Sequence, residues 1–216
     1  MFEIEGGRIA LLIGDVSGHG VEAARVAMLA KDVVHAFAHR SSGPQTVLRQ
    51  TNELLIEKKT PGFVTLFLGI LEPFNGLLSY SSAGHPNALL KGKGGKVRFL
   101  EAASAPLGIF ADHSWKQDQV ELRKGDLLLL YTDGAIEARR DGKFFGQEGL
   151  VRVLQEKPEL SPERLPQALL DQVLAFSGGT LADDVAVLAV ALGEEPGEVA
   201  GWRGEERRGE ERRRRP

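Results

Sequence analysis

No cysteine occurs anywhere in the 216 residues. That excludes disulfides, thiolate zinc sites and thiol nucleophiles, and it fits a cytoplasmic chain. Also lacking is any apolar run near the ~20 residues that a membrane span needs. The start, Met1-Phe2-Glu3-Ile4-Glu5, has no basic segment ahead of an apolar stretch, so no secretory leader is expected. Neither sign of charge dominates. Against 30 Asp and Glu stand 27 Lys and Arg, and the net charge of −3 gives no general pull toward nucleic acid. Hydrophobic residues make up 42%, enough for a substantial core in one domain with or without an appendage.

What the chain does have is three aspartate islands, each set against an apolar, strand-like run. Ile9-Ala10-Leu11-Leu12-Ile13 leads into Gly14-Asp15-Val16-Ser17-Gly18-His19-Gly20. Leu127-Leu128-Leu129-Leu130-Tyr131-Thr132 leads into Asp133-Gly134. Asp183-Asp184 runs straight into Val185-Ala186-Val187-Leu188-Ala189-Val190. A carboxylate at a strand end is held rigidly while facing solvent. Three from distant parts of the chain converge only through the fold. Once together they repel one another and call for a cation, and hard oxygen ligands favour Mg²⁺ or Mn²⁺.

The pattern between the islands predicts the architecture. A helix is expected from Gly20 to about His39, with Ala24, Ala27, Met28, Lys31, Val34 and Ala38 as its stripe. A second is expected over 44–58, with Pro44 in its first turn. Strands follow over 63–71, 77–82, 87–91, 96–100, 119–122 and 126–132, joined by turns at Asn75-Gly76, Gly92-Lys93-Gly94-Gly95 and Arg123-Lys124-Gly125. Two more helices are expected, over 146–155 and 162–176, the latter with Ser161 as N-cap and Pro162 at its first position. A last strand covers 184–192. Successive hairpins favour antiparallel pairing, so the fold class is α+β, layered, and not a doubly wound parallel sheet. From Gly193 onward apolar content nearly vanishes and the chain ends in Arg212-Arg213-Arg214-Arg215-Pro216. Residues 193–216 therefore read as a disordered, solvated tail behind a domain of residues 1–192.

Each motif has a bland reading beside its functional one. The glycine-rich loop at 14–20 lacks the Lys-Ser/Thr of a Walker loop and the spacing of a nucleophile elbow or a dinucleotide fingerprint. Asp133-Gly134 alone is an ordinary turn. His35 and His39 read as structural or exposed helix residues. His85, fixed between Gly84 and Pro86, reads as a hydrogen-bonding residue. A Ser17/His85/Asp133 triad has no local spacing in its support.

In order along the chain stand Asp15-Val16-Ser17-Gly18-His19-Gly20, Ser82-Ala83-Gly84-His85-Pro86, Ala105-Pro106-Leu107-Gly108, Leu130-Tyr131-Thr132-Asp133-Gly134-Ala135-Ile136-Glu137, Phe145-Gly146 and Asp183-Asp184-Val185-Ala186-Val187. This set resembles the SpoIIE/RsbU branch of the metal-dependent (PPM, phosphatase 2C-like) protein serine/threonine phosphatases, over about residues 8–192. The resemblance implies a central antiparallel β-sandwich flanked by helices, with two Mn²⁺ or Mg²⁺ ions at one end. It implies that Asp15 bridges both ions, that the Val16 carbonyl binds one, and that Asp133 and Asp183 complete the other, with Asp184 as the alternative to Asp183. It implies hydrolysis of phosphoserine or phosphothreonine by a metal-bridging hydroxide, without a phosphoenzyme. His19 is a candidate proton donor to the leaving oxygen. The implied substrate is a phosphorylated STAS-type anti-sigma-factor antagonist. The helices over 20–58 match the switch region through which a sensor domain, a partner or a second copy acts. The family also carries a Gly-Gly-Asp-like strand ahead of the first island. Here Glu5-Gly6-Gly7-Arg8 leads directly into the Asp15 strand, so that acidic strand and an upstream sensor domain are expected to be missing. The alternative function is accordingly a catalytically weak phosphatase-fold binding module.

Overall fold

The computed structural model describes residues 1–193 except 103, 158 and 182. The expected disordered tail, apart from Gly193, lies outside the described residues.

Two antiparallel sheets stack face to face, with a helical layer outside each. The first sheet has the order β1-β2-β3-β4-β7, from β1 (Phe2–Ile4), β2 (Arg8–Val16), β3 (Val64–Glu72), β4 (Leu77–Ala83) and β7 (Asp118–Glu121). The second has the order β11-β8-β5-β6, from β5 (Ala88–Lys91), β6 (Val97–Leu100), β8 (Leu127–Tyr131) and β11 (Val187–Ala191). Helices α1 (Gly20–Ala38) and α2 (Pro44–Glu57) cover the first sheet, and α4 (Gly146–Glu156) and α5 (Leu165–Ser177) cover the second.

The period-two alternation of strand side chains builds these layers. In β3, Val64, Leu66, Leu68 and Ile70 point to the helices, while Phe67 and Leu71 point into the sandwich. In β8, Leu128 and Leu130 fill the sandwich, while Leu127, Leu129 and Tyr131 meet α4 and α5. Both faces of β8 are covered, which is why its sequence is a continuous leucine run.

Several local expectations are corrected. A short strand, β1, precedes residue 8 and pairs Phe2 with Ala10 and Ile4 with Arg8. Helix α5 begins at Leu165 with Pro166, not Pro162, in its first turn. Residues 161–164 instead form a turn in which the Arg164 and Leu165 N–H groups donate to the Ser161 carbonyl at 3.0 Å. Two elements escape the sequence pattern: a one-turn helix α3 (Asp133–Ile136), and a hairpin of β9 (Arg139–Arg140) and β10 (Lys143–Phe144) with Arg139 stacked over the Phe144 ring.

The buried face of α1 also differs from the expected stripe. Val26, Ala30, Val33, Val34 and Ala38 are buried, whereas Ala24, Ala27, Met28 and Lys31 are exposed. With Val21, these leave an apolar strip of α1 facing outward.

Helix α2 is tied to the loop ahead of β7 by a buried polar side chain. Asn52 donates through Nδ2 to the Phe110 carbonyl at 2.9 Å and accepts from Gly108 N–H at 2.8 Å. Leu107 in turn exchanges two backbone hydrogen bonds with Val64, at 3.0 and 2.8 Å.

Candidate metal centre

All three islands lie at one end of the sandwich. Asp15 is next to last in β2, opposite Thr65 of β3. Asp133 opens α3 directly after β8. Asp183 and Asp184 precede β11, which pairs with β8 so that Val187 faces Tyr131.

The second and third islands touch. A Cβ placed on Gly134 would stand 2.3 Å from the Asp184 carbonyl oxygen and 3.3 Å from that of Asp183. Glycine is needed there because backbone passes where a side chain would start. Thr132 closes the same junction. Its N–H donates to the Ala186 carbonyl at 3.1 Å, its hydroxyl donates to the Asp184 carbonyl at 3.2 Å, and its oxygen accepts from Ala186 N–H at 2.9 Å.

The loop after Asp15 is held as firmly. Ser17 N–H donates to the Phe63 carbonyl at 2.9 Å, and Phe63 N–H donates to Ser17 Oγ at 2.8 Å. Gly62 sits beneath, with φ of 73° and no room for a Cβ, which would meet Ser17 Oγ. Ser17 is thus a structural clasp. His85 is buried with both ring nitrogens engaged, one to Thr65 and one to the Tyr131 carbonyl. Neither residue is placed as a triad requires, and Ser17/His85/Asp133 is set aside.

A cleft of about 700 Å³ is lined by Gly14 to Gly20, by Ala23, Ala24 and Ala27 of α1, and by Asp183 and Asp184. His19 stands on its rim, as the residue before α1. Partial burial pushes the Asp15 carboxyl above its ordinary pKa. A hydrogen bond from Val16 opposes this, and the charges of Asp133, Asp183 and Asp184 add to it. Four carboxylates are therefore close enough to feel one another, and a cation would relieve them. The donor set is hard oxygen throughout, which suits Mg²⁺ or Mn²⁺. The convergence is loose, however. Among the described residues no three His, Asp or Glu side chains stand within common reach of one ion.

Thr65 carries no signal in the sequence that marks it as a site residue. Thr132 and Gly134 stand in the Leu130–Glu137 motif and His85 in the Ser82–Pro86 motif, but neither motif by itself shows which partners these residues meet.

The family profile described as Stage II sporulation protein E matches residues 5–193. The chain belongs to the SpoIIE family. Among curated members related to it, the phosphoserine phosphatase RsbU of Bacillus subtilis (strain 168) is 27% identical over 184 residues, which is 84% of this chain and 55% of that protein. The chain thus spans about half the length of that relative. Among solved structures, the RsbU and RsbW domains of a Mycobacterium tuberculosis protein share 28% identity with a TM-score of 0.70, over 84% of this chain and 51% of that one. The phosphatase 2C domain of Bacillus subtilis SpoIIE, solved with a fragment of its regulatory domain, gives a TM-score of 0.73 at 20% identity, over 84% of this chain and 54% of that one. The αββα layering is therefore the phosphatase 2C-type fold of the SpoIIE family. Within that fold, one neighbour has been solved in complex with magnesium and another after presoaking with manganese. No helix among the described residues is long and apolar enough to cross a membrane.

Proposed function

We propose that this chain is a Mn²⁺- or Mg²⁺-dependent protein serine/threonine phosphatase acting on a phosphorylated regulatory protein. The observation that carries this reading is the meeting of Asp15, Asp183 and Asp184 in one cleft of a SpoIIE-family fold, with Asp133 close enough for its charge to act on Asp15. Asp15 and the Val16 carbonyl would hold one side of a two-ion centre. Asp133 and Asp183 would hold the other, with Asp184 as the alternative ligand. When bound, such ions supply an acidified water and neutralise charge on phosphoryl oxygens. The chain's own part is to hold the carboxylates in place. Gly134 allows the second and third islands to touch, and Ser17 pins the chain just after Asp15 and Val16. His19, on the cleft rim, is the nearest candidate to hand a proton to the departing serine oxygen.

The proposed substrate is a phosphorylated STAS-type antagonist of an anti-sigma factor, in keeping with the RsbU-like relatives. The exposed strip of α1 is formed by Val21, Ala24, Ala27 and Met28, of which Ala24 and Ala27 also line the cleft. It is the proposed surface for a sensor domain, a partner or a second copy. A cytoplasmic setting belongs to the same proposal.

A second reading, a phosphatase-fold binding module with little turnover, is favoured by the loose convergence of the carboxylates. Mn²⁺-dependent phosphate release from p-nitrophenyl phosphate or a phospho-STAS protein separates the two. Activity that falls to background in Asp15→Asn and Asp133→Asn supports the phosphatase. Calorimetric binding of neither ion at millimolar concentration supports the module.

A further inference from the structure

His85 is buried at 4% exposure, and neither nitrogen is free to meet a substrate. Its Nε2 lies 3.1 Å from the Tyr131 carbonyl oxygen, and its Nδ1 lies 3.0 Å from Thr65 Oγ1. A carbonyl oxygen only accepts, so Nε2 must carry the proton. Nδ1 is then an acceptor, and the Thr65 hydroxyl donates to it. One tautomer satisfies all four atoms.

The location of these two bonds gives them meaning. Thr65 is the cross-strand partner of Asp15, and its hydroxyl oxygen lies 3.5 Å from the Asp15 carbonyl. Tyr131 is two residues ahead of Asp133. The ladder between β5 and β8 ends at Leu89 with Leu129, so Tyr131 lies past the last paired residue on that side. The imidazole supplies the missing donor and joins the first sheet to the second at that point. Beyond it, Thr132 continues the connection to Asp184 and Ala186. A single polar chain therefore runs Thr65, His85, Tyr131, Thr132, Asp184 and passes under all three islands. The turn bearing His85 is itself fixed. Ser82 Oγ donates to the His85 carbonyl at 3.1 Å, and Gly84 has φ of 69° with Pro106 packed where a Cβ would be.

We propose that His85, held in the Nε2–H tautomer by the Tyr131 carbonyl and anchored through Nδ1 by the Thr65 hydroxyl, is a positioning residue that sets the separation of Asp15 from Asp133 across the two sheets. It acts on metal affinity without touching metal or substrate. This rests on the reading of the carboxylates as a metal centre. Groups that orient ligands from behind typically change metal affinity about 10- to 100-fold when removed.

The test is a calorimetric titration of Mn²⁺ into wild type, Thr65→Val, Thr65→Ser and Asp133→Asn, well below each unfolding temperature. Thr65→Val keeps shape and loses the donor, while Thr65→Ser keeps the donor. The expected result is a Mn²⁺ dissociation constant raised about 10-fold or more in Thr65→Val and restored to within about 2-fold in Thr65→Ser. Lowered thermal stability with unchanged Mn²⁺ affinity in Thr65→Val would make the pair an ordinary core hydrogen bond and overturn the proposal. Wild type that fails to bind Mn²⁺, or binds it equally after Asp133→Asn, overturns the metal-centre reading beneath it. Should Thr65→Val not fold, the wild-type imidazole nitrogen spectrum decides. A His85 Nε2–H signal that shifts on Mg²⁺ addition supports the proposal, and one that stays in place overturns it.

Discussion

Replacing Gly134 with alanine sets local preference against tertiary contact. Gly134 lies within α3, where alanine is favoured over glycine by about 1 kcal/mol in an exposed helix. By propensity alone the variant should be more stable. The new Cβ, however, would stand 2.3 Å from the Asp184 carbonyl oxygen and 3.0 Å from its carbon. Ordinary contact needs about 3.4 Å or more, so the backbone of Asp184 must retreat by about 1 Å. Overpacking of this kind costs about 1–3 kcal/mol, which leaves up to about 2 kcal/mol once the ~1 kcal/mol of helix propensity is set against it. At about 2–4 °C per kcal/mol for a domain of this size, the melting temperature should fall by up to about 8 °C. The larger effect falls on the site, because the retreat separates Asp133 from Asp183 and Asp184. Thermal unfolding with and without Mn²⁺ reads both. The expected outcome is a lowered midpoint in metal-free Gly134→Ala and loss of most of the Mn²⁺-induced rise. Gly94→Ala is the control, since nothing lies within 4 Å of its added Cβ. A Gly134→Ala protein with wild-type midpoint and wild-type response to Mn²⁺ would refute the reasoning.

The Asp15 carboxyl has a raised pKa, so above its ordinary value the folded state holds it at a cost, and stability falls as pH rises through that window. Asp15→Asn should therefore raise the metal-free melting temperature at pH 7, by up to about 4 °C if the relief is within the ~1 kcal/mol of screened pairs, while abolishing stabilisation by Mn²⁺. A lowered midpoint would contradict it. Burial lowers the pKa of His85 to about 4, with the Tyr131 hydrogen bond opposing. The neutral imidazole is thus stabilising above its unfolded pKa, and this is lost as pH falls from about 6.5 to 4, by about 3 kcal/mol at pH 4. Denaturant titrations across that range should show wild type losing stability more steeply than His85→Gln. Equal slopes would remove His85 as the cause. Asn52→Ala deletes two hydrogen bonds and leaves Gly108 N–H and the Phe110 carbonyl without that partner. The expected cost is about 1–3 kcal/mol, measured by chemical unfolding, and a loss under 0.5 kcal/mol would show the clamp to be dispensable.

Much of this architecture is legible in the sequence, for identifiable reasons. The turns at Asn75-Gly76, 92–95 and 123–125 and the leucine run of β8 place the strands within a residue or two. Asp15 and Asp133 sit at the expected strand ends, whereas Asp183 and Asp184 stand ahead of β11, which begins at Val187 and not at residue 184. What escaped depends on contacts distant in sequence. Alanine and small apolar residues occupy two faces of α1, and periodicity alone cannot say which face the sheet covers. Val26, Ala30 and Val34 are inside and Ala24, Ala27 and Met28 outside. Pro162 and Pro166 both suit a first helical turn, and the backbone turn at 161–164 selects the second. Asp133-Gly134 looks like a common turn until Asp184 is placed against it. Thr65 is an ordinary β-branched strand residue until His85 arrives from the β4–β5 turn.

Whether these carboxylates hold divalent cations is decided by crystals grown with Mn²⁺ and measured at the manganese absorption edge. Anomalous peaks are expected between Asp15 and Asp133, ligated by those carboxylates, the Val16 carbonyl and Asp183 or Asp184. Well-ordered carboxylates with no peak among them, or manganese bound only elsewhere on the chain, would contradict the metal-centre reading.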